Sequence, residues 1–266
     1  MDASFARKSY WEERLSKNYS LGGVGHLATG KYYNYWVYKT RRDCVRRILK
    51  KMNLAKDSLC LDIGSGTGFY LDLLNKAGFT NIEGSDLTDI AVTNLKKNYP
   101  SQNINSLDIS SNQIDPKETY DLITCMDVMF HITDNVMYEN AFKNISNLLK
   151  KGGYLVLTEN FCPVNADRGH IHDRTRQEIL GSLESNELEI ETIVSKFILL
   201  NPPVQSRNKW LCKWNQMRIT VLKKIASTKF HRVNWLIGLV IYSLDQLLVL
   251  SGFEPKGTSI IVCRKI

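Results

Sequence analysis

The chain has 266 residues, of which 43% are hydrophobic and 23% charged, and it carries a formal net charge of +8. This composition excludes a largely disordered or fibrous chain, and the length suits one large domain with an elaborated cap. The positive balance reads as extra surface lysine on a soluble protein, with binding to an acidic partner as the functional alternative. Six cysteines, at positions 44, 60, 125, 162, 212 and 263, contain no Cys-x-x-Cys pair. No metal site is therefore expected, and a reducing, cytoplasmic compartment fits best. The first fifteen residues lack an apolar run and do not read as a secretory signal.

Residues 1–57 are aromatic and basic and read as a cap followed by an entry helix at about 39–52. From 58 to about 160, strand and helix alternate. Short apolar runs predict parallel strands at 58–63, 81–85, 120–126 and 153–158, with a weaker one at 104–107. Helical stretches lie between them at 67–77, 88–98 and 135–150. Residues 188–200 and 257–263 read as sixth and seventh strands. A Trp- and Lys-rich insertion at about 204–256, mainly helical, separates the last two. The pattern implies an α/β, doubly wound sheet. The core spans 58–266.

The strongest local feature is LDIGSGTGF, residues 61–69. A strand ends at Asp62 and Ile63. Gly64, Gly66 and Gly68 then allow a sharp turn and close approach to a ligand, and the following helix points its first amides at the same place. The spacing is G-x-G-x-G rather than the G-x-G-x-x-G of dinucleotide folds, and no Gly-Lys-Ser/Thr follows as in a P-loop. An acid two residues before the first glycine would repel a pyrophosphate but suits a cationic nucleoside.

These residues resemble the first motif of the class I S-adenosylmethionine-dependent methyltransferases, in particular those acting on small molecules. The resemblance covers about 40–160. It implies a Rossmann-like seven-stranded sheet of order 3-2-1-4-5-7-6 with the last strand antiparallel, and S-adenosyl-L-methionine as cofactor. It also implies that Asp62, Gly64, Ser65, Gly66 and Gly68 border the methionine part. In EGSDLT, residues 83–88, Asp86 ends a strand where a carboxylate can accept both ribose hydroxyls, with Leu87 beside it. A helix N-cap is the structural alternative for Asp86. In SLDI, residues 106–109, Asp108 and Ile109 match the adenine-contacting segment, and a plain turn Asp carries nearly equal weight. In YDLITCMDVMFHI, residues 120–132, the stretch Cys125–Asp127, including Met126 and Asp127, is expected to line the cofactor. Phe130 and His131 would then face the substrate.

Methyl transfer from a sulfonium requires alignment, exclusion of water and, for a hydroxyl acceptor, removal of a proton. A histidine suits the last task. His170 or His172, in RGHIHDRTR at 168–176, is the expected general base, with Asp173 available to orient a ring and His131 as base or substrate contact. Each histidine has an equally weighted reading as a packing or surface residue. Arg168, Arg174 and Arg176 read as solvated loop charges before they read as an anion grip. Trp11, Tyr19, Tyr32, Tyr33, Tyr35 and Trp36 read as a lid or its packing.

Asn201-Pro202-Pro203 looks like the amino-methylation motif of nucleic-acid methyltransferases. It lies after the sixth strand rather than the fourth, so it reads as a strand stop and no nucleic-acid partner is expected. The run 233–250 is interrupted by Asn234, Asp245 and Gln246. It reads as a helix buried against the body of the protein, with peripheral contact to an acidic membrane as the second reading. The sequence thus points to O-methylation of a small molecule, sugar-like or a secondary metabolite. The alternatives are a nicotinamide-dependent oxidoreductase and a non-catalytic membrane- or protein-binding module.

Overall fold

The computed structural model describes residues 3–25, 29–112, 114, 119–195, 197–202, 209–228, 230–251 and 258–266. Its centre is a run of parallel strands: β1 (Leu59–Ile63), β2 (Asn81–Asp86), β3 (Asn103–Ser106), β4 (Tyr120–Cys125) and β5 (Leu149–Cys162). Two short strands follow, β6 (Ala166–Asp167) and β7 (His172–Thr175), and then two long ones, β8 (Leu188–Ser195) and β9 (Thr258–Lys265). The long strands run β3-β2-β1-β4-β5-β9-β8, and β9 is antiparallel to both neighbours. Numbered among themselves they give the expected order 3-2-1-4-5-7-6. The two additional strands form a small hairpin on the far end of β5, where the sequence suggested only a polar loop.

Both faces of the sheet are covered because its strands are apolar on both sides. Leu122, Val156 and Ile82 pack with α4 (Phe69–Ala77) and α5 (Asp89–Asn98) in one cluster. Leu61, Ile123 and Leu155 pack with α6 (Asn135–Leu148) and α7 (Arg176–Ser185) in the other. Cys60, Cys125 and Cys263 are buried in these layers as small hydrophobes.

Upstream lie α1 (Ala3–Lys17), the short α2 (Leu21–Val24) and α3 (Gly30–Lys51). The entry helix therefore begins at Gly30, nine residues earlier than the expected 39, and the aromatic run 31–38 is part of it. The weak helix preference of aromatic residues is overridden by packing: Tyr33, Trp36 and Val37 are buried against Leu222 and Ile241. These partners come from α8 (Lys209–Ala226) and α9 (Val233–Leu250), the two helices of the insertion.

The expected sixth strand at 188–200 stops at Ser195. Farther on, the amides of Ile198, Leu199 and Leu200 all donate to the carboxylate of Asp245 on α9. An apolar run reads as strand from its side chains, but here its backbone donors are claimed by one buried acid instead of a ladder.

Gly238 marks the crossing of α3 and α9, since a Cβ there would overlap the indole ring of Trp36. Trp36 is held in place by its own bond to the Trp235 carbonyl, 2.8 Å. Helix propensity alone predicts that Gly238→Ala stabilises by about 1 kcal/mol. Overpacking predicts the opposite, about 1–3 kcal/mol of destabilisation. We expect thermal denaturation to show a lower Tm for the variant, by about 2–4 °C per kcal/mol.

Candidate active site

The loop after β1 is shaped by three left-handed glycines, with φ of 71° at Gly64, 53° at Gly66 and 87° at Gly68. At Gly64 a Cβ would overlap Val128, and at Gly68 it would overlap the ring of Tyr99. The Tyr99 hydroxyl donates to the Gly68 carbonyl at 3.0 Å. Ser65 is tied down by its amide to the Ser85 carbonyl, 2.8 Å, and by its hydroxyl to the Asp62 carbonyl, 2.9 Å.

Asp86 clamps this loop. One carboxylate oxygen accepts from the Gly66 amide at 2.9 Å, and the other accepts from the amide and hydroxyl of Thr88 at 2.9 and 2.7 Å. Thr88, not Asp86, is the N-cap of α5. Asp86 lines the crevice beside the loop, together with Leu87, Asp108, Ile109, Met126 and Asp127. Gly64, Ser65 and Gly66 form the floor of the same crevice.

Four expected contacts are placed differently, and two of them, Gly68 and Cys125, do not line the crevice. Asp62 is only 1% exposed and sits behind the loop rather than on the crevice wall. Its Oδ1 accepts from Thr124 at 2.6 Å, while Oδ2 is buried without a hydrogen-bond partner. Burial pushes its pKa up to about 7. Asp108 reaches the crevice, but its carboxylate is taken by α1: Arg7 donates at 2.6 Å, and Ser4 donates as well. Further bonds hold the cap over the loop, such as the Tyr19 hydroxyl to the Gly66 carbonyl at 2.9 Å.

Asp127 stands where the crevice meets a second, larger chamber of about 490 Å³, and it lines both. Its φ of 60° is unusual for a residue with a side chain. Its amide donates to Thr158 at 2.6 Å and its Oδ2 pairs with Arg41 of α3 at 2.5 Å. Asp127 Oδ1 and Arg41 Nε are both buried and unpartnered. Four arginines line the chamber, Arg14, Arg41, Arg168 and Arg218, against the acids Asp127 and Asp173. The chamber is therefore net cationic.

The three candidate histidines separate. His131 lines both cavities. Its Nδ1 lies 2.8 Å from the carbonyl of His170. A carbonyl only accepts, so Nδ1 carries the proton and Nε2 keeps the lone pair. Burial, helped by the charges of Arg14 and Arg168, lowers its pKa to about 3. His170 lines the chamber and stacks between Tyr10 and His131, at centroid distances of 4.4 and 5.3 Å. His172 lines neither cavity. It sits on the β6–β7 hairpin, 2.5 Å from Asp167. Asp173 does not orient either ring, because both its oxygens are held by Arg168 at 2.5 and 2.7 Å.

Arg174 is not a solvated loop charge. It is buried, its guanidinium stacks 3.5 Å from the Tyr138 ring centroid, and it donates to the Ile132 carbonyl. Arg176 lies over Phe161. Sequence reasoning passed over Arg14, Arg41 and Arg218. The detectable signal for Arg218 was a charged residue in register with Leu211, Asn215 and Leu222, the buried face of α8. Asn201 and Pro202, read as a strand stop, line the chamber; Pro203 lies outside the described residues.

Comparison with known proteins identifies the family. A family model described as "Methyltransferase domain" matches residues 33–221. The chain belongs to that family: it carries a class I S-adenosylmethionine-dependent methyltransferase domain, with S-adenosyl-L-methionine as its cofactor. Over 107 residues it is 33% identical to a ribosomal protein L11 methyltransferase from Lactobacillus johnsonii, covering 40% of this chain and 32% of that protein. Over 136 residues it is 29% identical to a tRNA U34 carboxymethyltransferase from Glaesserella parasuis, covering 46% and 41%. The chain thus spans less than half the length of these two relatives. Among solved structures, it shares its fold with magnesium protoporphyrin IX methyltransferase from Synechocystis with bound S-adenosylmethionine. That match has a TM-score of 0.61 at 14% identity and covers 100% of this chain and 98% of the other.

Two measurements test the site. Gly64→Ala places a side chain in a left-handed conformation that costs about 1–2 kcal/mol. We expect S-adenosylhomocysteine to bind about tenfold more weakly to the variant in a calorimetric titration. The second concerns Glu159, which is buried and accepts from the Tyr138 hydroxyl at 2.9 Å. Burial raises its pKa to about 7 from 4.5. Between those values the native state holds a proton that the unfolded state has lost, so this residue's contribution to stability falls as pH rises through the window. Glu159→Gln removes that dependence. Relative to wild type, the variant is expected to gain stability between pH 5 and pH 8, by a few kcal/mol at most, read from denaturant melts.

Proposed function

We propose that the protein transfers a methyl group from S-adenosylmethionine to an oxygen of a small molecule held in the second chamber, with His131 as general base. The observation that carries this reading is the position of His131 on the wall shared by the two cavities. The chamber's volume of about 490 Å³ falls within the range of about 300–1,000 Å³ typical of small-molecule pockets.

The residues present fit the cofactor. Asp86, with Leu87 beside it, offers a carboxylate for the ribose, and Ile109 and Met126 offer apolar walls for the base. The orphaned donor of Arg41 and the orphaned acceptor of Asp127 match the carboxylate and ammonium of the methionine part. Burial disfavours the charged form of Asp62 behind the loop, and a cationic ligand in front of it would favour its ionisation. When bound, S-adenosylmethionine supplies an activated methyl group.

The chain's own residues do the rest. The glycine loop and α1 close the crevice from water. The arginines favour an acceptor rich in oxygen or carrying an anionic group. His131 Nε2 takes the hydroxyl proton as the oxygen–methyl bond forms. The low pKa keeps the ring neutral with Nε2 unprotonated but makes it a weak base, so it takes the proton only as the acceptor oxygen gains positive charge on bonding to the methyl group. His170 positions that ring through its carbonyl and its stack. His172 has no part in the reaction.

The test is release of S-adenosylhomocysteine across a panel of small hydroxyl and carboxylate compounds, bulk tRNA and ribosomal proteins. A small-molecule acceptor is expected, with turnover reduced about 10²–10⁴-fold in His131→Ala and nearly unchanged in His172→Ala. Methylation confined to tRNA or protein would overturn the choice of acceptor. Undiminished turnover in His131→Ala would overturn the base.

A further inference from the structure

The outer surface of the α8–α9 pair is unlike the rest of the molecule. Ten of the fifteen large apolar side chains exposed among the described residues lie on these helices or the turn between them. On α9 they form one stripe: Leu236, Val240, Leu244 and Leu247, spaced four, four and three residues apart and 46–63% exposed. The opposite side of α9, with Asn234, Gly238, Ile241 and Asp245, is the buried one. On α8, Met217 and Val221 are exposed while Leu211, Asn215, Arg218 and Leu222 face inward.

The charges of this region have one sign. Between residues 209 and 251 the sequence contains a single acid, Asp245, and it is fully buried with its oxygens on three backbone amides. The exposed charges are Lys209, Lys213, Lys223, Lys224 and Arg232. An exposed apolar stripe on a helix pair whose own exposed charges are all cationic is the composition of a helix that lies in the interface of an anionic bilayer. A soluble partner would need a complementary apolar and acidic face, whereas anionic lipid presents both at once. No helix among the described residues is long and apolar enough to cross a membrane, so the contact lies along the surface.

We propose that the α8–α9 face is a docking surface for anionic phospholipid membranes, with the α9 stripe entering the acyl boundary and the lysines resting on the headgroups. The inner side of α8 carries Arg218 into the acceptor chamber, so the docked bilayer lies one helix away from that chamber. The cofactor site is on the sheet and takes no part in the docking, so this inference stands or falls separately from the acceptor proposed above.

Vesicle co-sedimentation tests it, using phosphatidylcholine vesicles with and without phosphatidylglycerol. The wild-type chain is expected to bind the vesicles containing phosphatidylglycerol, to bind phosphatidylcholine alone far less, and to be released by high salt. Leu236→Glu combined with Leu247→Glu is expected to lower partitioning about tenfold or more. Lys223→Glu combined with Lys224→Glu, which leaves the apolar stripe intact, is expected to lower it comparably and to remove the salt effect. Circular dichroism and S-adenosylhomocysteine binding report that each variant is folded. Failure of the folded wild type to bind, or unchanged binding by both variants, overturns the proposal. So does a stable dimer in solution that Leu247→Glu dissociates while the wild type ignores vesicles, because the face then belongs to a second copy.

Discussion

The structure depends on a backbone that no side chain can occupy. Where β1 ends, Gly64 meets Val128, Gly68 meets Tyr99, and both need a left-handed φ. With side chains there, the loop could not lie flat against β4 and α5. Asp86 then fastens the Gly66 amide across the mouth of the sheet, linking the tips of β1 and β2. The crevice is thus a consequence of parallel strands that end together, a loop without Cβ atoms, and one carboxylate that closes the gap.

A second layer of organisation runs through α3. The middle of this helix sends Arg41 to Asp127, which lines both cavities. Its first turns bury Tyr33 and Trp36 under the insertion. The same helix therefore braces the crevice on one side and packs under the insertion on the other. The Tyr33 hydroxyl reaches the Leu200 carbonyl at 2.8 Å, which ties the segment after β8 to this hub. Asp245 serves the same segment from the other side by accepting its free amides. The chamber wall is built from pieces far apart in the chain, held by a few buried polar bonds whose loss would leave groups unsatisfied.

Much of the crevice rim was legible because it is local. The motif at 61–69, the acid at 86 and the pair at 108–109 each sit at the end of one strand, and strand ends in a doubly wound sheet share a rim. Asp62 was misplaced by one layer, since an acid before the glycines can point either into the crevice or behind it. The acceptor side was harder to read. His170 and His172 are two residues apart in a short segment, yet one lines the chamber and the other leans on Asp167, because His170 lies in the turn between β6 and β7 while His172 begins β7 and pairs with Asp167. Asp173, adjacent to His172 in sequence, belongs to Arg168 instead.

The sequence by itself determined the layer architecture and the kind of nucleoside the first loop accepts, while the strand order followed from its resemblance to the methyltransferases. Hydrophobic period, turn residues and a glycine spacing are properties of consecutive residues, and they act before any distant contact forms. The tertiary structure alone decided which histidine lines both cavities and which arginines gather around the larger one. It alone also decided which side of α9 is left exposed. Those outcomes depend on how segments more than a hundred residues apart pack together, and packing is set by shape and buried polar partners that no single stretch of chain encodes.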